Sequence, residues 1–195
     1  MATMAGAVAD TIELLRKRIQ QIRERKEVLG EENTKATLID PLLAALGWDL
    51  HEIDEVRREY RRKPQDNPVD YALFLNRTEC LFIEAKSLEK DLSDHRWVTQ
   101  NLSYATAAGV QWCVLTNGDE YRIYNAHAPV VVEEKLFRSV RISETDAENR
   151  PPPCCYCPSN KCAGACSTNC GNAILWTDES TKPSLACWPN RTANW

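Results

Sequence analysis

Val69-Asp70-Tyr71-Ala72-Leu73-Phe74-Leu75, then the polar Asn76-Arg77-Thr78-Glu79, then Cys80-Leu81-Phe82-Ile83-Glu84-Ala85-Lys86, read as two β-strands joined by a turn. Aromatic and branched residues fill both runs, and the four residues between them are polar enough to reverse the chain. Each run nevertheless carries an acid where a buried strand should carry none. Successive strand residues point to opposite faces, so Asp70 shares a face with Ala72 and Phe74, and Glu84 shares one with Phe82 and Lys86. An isolated carboxylate among Leu, Phe and Ile costs several kcal/mol, roughly, unless it is paired, hydrogen-bonded or bound to a cation.

A hard cation such as Mg²⁺, or Mn²⁺ in its place, takes oxygen ligands, which Asp70, Glu84 and the Ala85 backbone carbonyl supply. Lys86 would then face the metal-bound water. That combination suits phosphodiester hydrolysis, in which a metal activates water and a lysine offsets the developing charge. The competing reading is an ordinary Glu84–Lys86 surface pair at a strand end. On the metal reading Asp70 is relieved only by the ion, so Asp70→Ala should leave metal-free stability equal or higher.

These residues also resemble a known family. Asp70 followed after thirteen intervening residues by Glu84-Ala85-Lys86, with Pro68 two before the aspartate, is similar to the PD-(D/E)XK nuclease signature. Glu31, Leu38-Ile39-Asp40-Pro41-Leu42-Leu43, Leu46-Gly47-Trp48, the hairpin itself, Gln100 with Tyr104, and Leu115-Thr116-Asn117-Gly118 together resemble the amino-terminal nuclease domain of type I restriction enzyme motor subunits. The likeness runs from about residue 28 to 142. It implies an α/β restriction-endonuclease-like core, a mixed central sheet flanked by helices and preceded by an amphipathic helix. It further implies metal-dependent DNA cleavage, with Glu31 joining the metal site and Gln100 and Tyr104 shaping it. DNA and other restriction-modification subunits are the implied partners. The alternative class is a non-catalytic nucleic-acid-binding or assembly module on the same fold. No Gly-x-x-x-x-Gly-Lys-Ser/Thr run occurs, so this chain carries no P-loop for translocation.

The flanking segments place these residues on elements. Ile12, Leu15, Ile19 and Ile22 recur at helical spacing among Arg16, Lys17, Arg18, Arg23, Arg25 and Lys26, an amphipathic helix over residues 1–29 with a basic face that is either solvated or laced by Glu13, Glu24 and Glu27. Residues 31–46 line Leu38, Leu42, Leu43 and Leu46 on one side, Pro41 kinks or divides that helix, and Glu31 falls on its inward face. On residues alone, Glu31 is equally an acid at a helix N-terminus. Residues 55–60 read as a strand, and Arg57, Arg58, Arg61, Arg62 and Lys63 put five positive charges within seven residues, either for DNA phosphate or for pairing with Asp54, Glu55 and Glu59. Residues 92–108 read as a helix ending at Gly109, with Gln100 and Tyr104 one turn apart. Gln111–Thr116, Asn117-Gly118 and Tyr121–Tyr124 form a second hairpin, completing about four or five strands, with an edge element near Leu136-Phe137.

A chain of 195 residues, 43% hydrophobic, buries one good core. Its formal net charge of −4 excludes a generally basic DNA-coating protein, so any DNA affinity must come from local patches and metal. No run of about 18 apolar residues is present for a membrane helix, and the start lacks a signal-peptide pattern, which points to the cytoplasm. The nuclease-like unit spans residues 30–145. From Pro151 the composition changes: Cys154, Cys155, Cys157, Cys162, Cys166, Cys170 and Cys187 crowd the segment 146–195, whereas Cys80 and Cys113 sit in apolar runs and should be buried and inert. Zinc at the tail cysteines is disfavoured, because Cys154, Cys157, Cys162 and Cys166 lack a second knuckle pair. The other reading is out-of-frame translation. Cys and Trp codons both begin with TG and become apolar codons one base earlier, which would recover an amphipathic helix from a stretch with no periodicity. On that reading the tail is expected to be disordered.

Overall fold

In the computed structural model, which describes residues 4–144, a six-stranded sheet has the strands side by side in chain order. These are β1 (Val56–Tyr60), β2 (Val69–Leu75), β3 (Thr78–Ala85), β4 (Trp112–Thr116), β5 (Glu120–Asn125) and β6 (Leu136–Arg141). All neighbours are antiparallel except β3 and β4, which run parallel because helix α4 (His95–Ala108) carries the chain across between them. The expected edge element near Leu136-Phe137 is β6, the sixth strand, and it alternates weakly, as an exposed edge strand does. The β2–β3 turn is tighter than expected. Only Asn76 and Arg77 form it, with φ of 50° and 63°, and Thr78 and Glu79 already belong to β3.

Strand alternation divides the core. Ala72, Phe74, Phe82, Cys113 and Leu115 face α4 and pack on its Val98, Leu102 and Ala105. Tyr71, Leu73, Ile83, Ala85 and Val114 face the opposite way, against Ile39 and Leu43. Helix α4 starts later than its apolar pattern, because the Asp94 side chain accepts the Arg96 N–H at 2.9 Å and caps it; Gly109, with φ of 72°, ends it. Both cysteines of the described residues lie within the sheet, and burial pushes each thiol up to about 12.

The segment 31–45 is divided, as Pro41 suggests. Helix α2 (Glu31–Thr34) passes through a π-helical turn (Lys35–Ile39) into α3 (Asp40–Ala45). Proline has no N–H for the carbonyl of Thr37, four residues back. Arg18 supplies the missing donor, its guanidinium lying 3.0 Å from that oxygen. Arg18 belongs to the amphipathic helix α1 (Met4–Arg25), whose Leu15 and Ile19 are fully buried against Leu38 and Leu42. Arg16 and Arg23 are likewise engaged, with the Ile142 and Glu144 carbonyls and with Asp119. These basic side chains fasten the helix to the sheet layer rather than forming a uniform outer stripe. The cysteine-rich segment 146–195, with its zinc and frame-shift readings, lies outside the described residues.

Candidate active site

The acids of the first hairpin come together at the carboxyl end of β3, beside the parallel β3–α4–β4 crossover. Open α/β sheets place ligands at such strand ends. Asp70 is buried, and its Oδ2 accepts the Ala85 N–H at 2.7 Å across the hairpin. Its Oδ1 is held by the ammonium of Lys35, which enters from the π-helical turn. Lys35 is only 4% exposed and also reaches Glu32 at 2.7 Å, Glu59 at 3.3 Å and Glu31 at 3.7 Å. Burial by itself would lower the Lys35 pKa, but the bonds to Asp70, Glu32 and Glu59 hold it well above the usual lysine range.

Glu84 and Lys86 project together, as strand alternation requires, with Lys86 Nζ 2.7 Å from Glu84 Oε1, 3.8 Å from Glu31 Oε2 and 5.9 Å from the centre of the Trp97 ring. The pairing is therefore not a bare surface ion pair: the Lys86 and Glu84 side chains are 15% and 21% exposed. Burial raises the Glu84 carboxyl above the ordinary range, and the charges of Asp70 and Glu31 add to the rise against the opposing pull of Lys86.

Glu84 opens onto a cleft of about 370 Å³ that Arg62, Lys63, Trp97, Gln100, Asn101 and Tyr104 also line. Gln100 and Tyr104 thus share one wall with Glu84, and two of the five basic residues reach it. The others diverge. Arg57 lies 4.7 Å over the Phe74 ring, while Arg58, on the opposite face of β1, pairs with Asp40 at 2.8 Å; Arg61 is exposed. Arg62 also meets Glu79 at 3.5 Å. Within this wall the buried Asn101 donates to the Val114 carbonyl at 3.1 Å, and its own Oδ1 has no partner among the described residues.

The donor set fits a small hard cation in its chemistry: the buried Asp70 and the part-buried Glu84, with Glu31 nearby and the strand-end carbonyl of Ala85, and Mg²⁺ needs only one or two carboxylates beside water and substrate oxygens. In the arrangement described, however, lysines hold both carboxylates. Among the described residues no group of three or more His, Cys, Asp or Glu side chains is gathered closely enough to hold an ion. The relief expected for Asp70 from a bound cation comes from Lys35, so the expectation that Asp70→Ala would be harmless in metal-free buffer is corrected: removing Asp70 takes away the buried partner of Lys35 and leaves it only the more exposed carboxylates of Glu31, Glu32 and Glu59. Lys35 was missed because a lysine beside Glu31 and Glu32 reads as a solvated helix position; the signal for it was its spacing, four residues after Glu31 and three before Leu38, which puts it on the inward face.

A mixed sheet with a parallel β3–α4–β4 unit, helices on both faces and this strand-end cluster defines an α/β restriction-endonuclease-like core. Residues 59–130 match the family described as type I restriction enzyme R protein N terminus, and over that segment the chain is similar to the nuclease N-terminal domain of R subunits. The match contains Asp70, Glu84, Lys86, Gln100, Tyr104 and the loop 61–63; Glu31, Lys35, Arg57 and Arg58 lie before it. No curated protein and no solved structure matches the chain. No helix among the described residues is long and apolar enough to cross a membrane.

Proposed function

We propose that this chain is a metal-dependent DNA endonuclease of the type I restriction R-subunit kind, acting in the cytoplasm with DNA and, in a complex, with other restriction-modification subunits. The observation that carries the reading is the cleft that brings Glu84 together with Arg62, Lys63, Gln100 and Tyr104, next to Lys86. Arg62 and Lys63 bind the phosphate backbone. Lys86 presents its ammonium to the negative charge that develops on the attacked phosphate, while Gln100 and Tyr104 position the strand along the wall. A bound Mg²⁺ or Mn²⁺, held by Asp70, Glu84, the Ala85 carbonyl and Glu31, would supply an activated water and a Lewis acid. One observation favours the second reading, a non-catalytic binding or assembly module: Lys35 holds the carboxylate that the metal would need.

Nicking of supercoiled plasmid with Mg²⁺ and with chelator separates the two. The nuclease reading expects Mg²⁺-dependent nicking that Asp70→Ala and Lys86→Ala each abolish. Nicking that survives either substitution, or DNA binding with no cleavage under any divalent cation, would sink it.

A further inference from the structure

We propose that Lys35 is a built-in competitor for the cation position at Asp70, a positioning residue that sets how readily the site takes a divalent ion. The proposal rests on the metal-dependent reading above and adds to it a residue that the cleft does not contain.

Three features carry it. Lys35 is buried among four carboxylates of different exposure: Asp70 is 9% exposed in its side chain, whereas Glu32 and Glu59 are 83% and 60% exposed. An ammonium has three donors and can turn about the end of its stem, so it can leave Asp70 and remain paired with Glu32 and Glu59 at the rim. The cost of its departure is thus far below that of stranding a buried charge. Asp70, by contrast, stays where it is when Lys35 withdraws, because its other oxygen accepts the Ala85 N–H at 2.7 Å.

The second feature is the backbone of β1. Glu59 has φ of 47° and is left out of the register between Arg58↔Tyr71 and Tyr60↔Val69. A glutamate in that conformation is uncommon, and here it places a carboxylate 3.3 Å from Lys35. The third feature is the π-helical turn, which carries Lys35 inward. The edge strand β1 and the π-helical turn, far apart in sequence, therefore converge on one ammonium. The ion and the ammonium compete for the same oxygen, so the apparent affinity of the site is its intrinsic affinity reduced by the fraction of molecules in which Lys35 has withdrawn.

The test uses Mn²⁺ binding by calorimetry on the full chain, wild type against Lys35→Met and Lys35→Arg, with circular dichroism to check folding. Lys35→Met removes the competitor and should bind Mn²⁺ about tenfold tighter, the gain expected if the withdrawn form is about a tenth of the population. Lys35→Arg keeps the charge and grips a carboxylate with two donors, so it should bind more weakly than wild type. Adding Asp70→Asn should abolish the gain of Lys35→Met. A role in folding alone would not move the two Lys35 variants in opposite directions. Folded Lys35→Met with wild-type or weaker affinity overturns the proposal. If that variant does not fold, Lys35→Arg with equal or tighter binding overturns it instead. Plasmid nicking by wild type, run in parallel, keeps the two readings apart. Cleavage without the affinity change sinks the role of Lys35 alone, whereas the affinity change without cleavage sinks the nuclease reading alone. Absence of Mn²⁺ binding in every variant sinks both.

Discussion

Asp70 and Lys35 are buried against each other, although one lies on the second strand of the sheet and the other on a helical turn that the chain passed thirty-five residues earlier. Asp70 has little water to fall back on, whereas Lys35 also reaches the exposed carboxylates of Glu32 and Glu59. Asp70→Ala should therefore cost about 1–3 kcal/mol in metal-free buffer, the usual cost of losing one charge-assisted bond, because Lys35 keeps its pairs with Glu32 and Glu59. Asp70→Ala combined with Lys35→Met should recover part of that loss, since the buried ammonium that lost its nearest partner is gone as well. Urea unfolding of the two single variants and the double variant measures it; additive losses would show that the pair is not coupled.

Gly118 is packed where no side chain fits. A Cβ there would lie 2.8 Å from Leu38 Cβ and 3.1 Å from Thr34 Cγ2, and its φ of 84° is itself unfavourable for alanine. Thr34 and Leu38 stand on either side of Lys35 in sequence, so the second hairpin rests directly on the turn that delivers it. Gly118→Ala should cost about 2–4 kcal/mol, from overpacking and the left-handed backbone together. A thermal melt within a degree or two of wild type, roughly, would contradict that close approach.

Glu120 is held by Arg122 at 2.5 Å and Arg141 at 3.0 Å. Burial pushes its carboxyl up, but the two guanidiniums outweigh it and the net shift is below the ordinary 4.5. A depressed folded value means that the pairs stabilise the fold above the unfolded value and that this contribution is lost as the pH falls through the folded one. Glu120→Gln should accordingly cost about 1–3 kcal/mol at pH 7. The difference from wild type should hold down to about pH 5 and close at more acid pH, as the carboxylate takes up its proton. A difference that widens in acid would reverse the sign.

Arg62 and Lys63 line the cleft, whereas Arg57 and Arg58 stand on opposite faces of β1 and are engaged by Phe74 and Asp40. If the cleft takes DNA, Arg62→Ala with Lys63→Ala should lower the slope of log affinity against log salt by up to about 2, close to one for each phosphate no longer neutralised. Arg58→Ala should leave that slope unchanged and show its effect in stability, because the Asp40 pair lies against Tyr71 under α3. Equal slopes for the two variants would remove the cleft as the DNA path.

Local rules made several features legible in the chain alone. Two β-type runs around a polar turn, Asn117-Gly118, Gly109 after a helical repeat and Pro41 within another each act over a few residues, and each stands where the pattern puts it. The inward-facing acids of the first hairpin followed from strand alternation, and so did the shared face of Glu84 and Lys86. Boundaries moved where a side chain outcompeted the pattern: Asp94 caps α4 beyond the apolar Leu92, and Asn76 and Arg77 shorten the first turn.

Tertiary structure alone decided which charges meet. Periodicity assigns a residue to a face: it puts Glu31, Lys35 and Leu38 on one side, and only the packing decides how deep each sits, with Glu31 at the rim, 42% of its side chain exposed, and Lys35 buried on Asp70. The run of basic residues from Arg57 to Lys63 looked like one patch for the same reason. Adjacent residues on a strand point apart, so only Arg62 and Lys63, beyond the strand's end, reach the cleft. The chain by itself determined the strands, the helices and the acids of the site, because those follow from neighbours a few residues away. Whether the buried carboxylate of Asp70 meets a metal or an ammonium depends on distant segments packing together, a relation that no spacing along the sequence records.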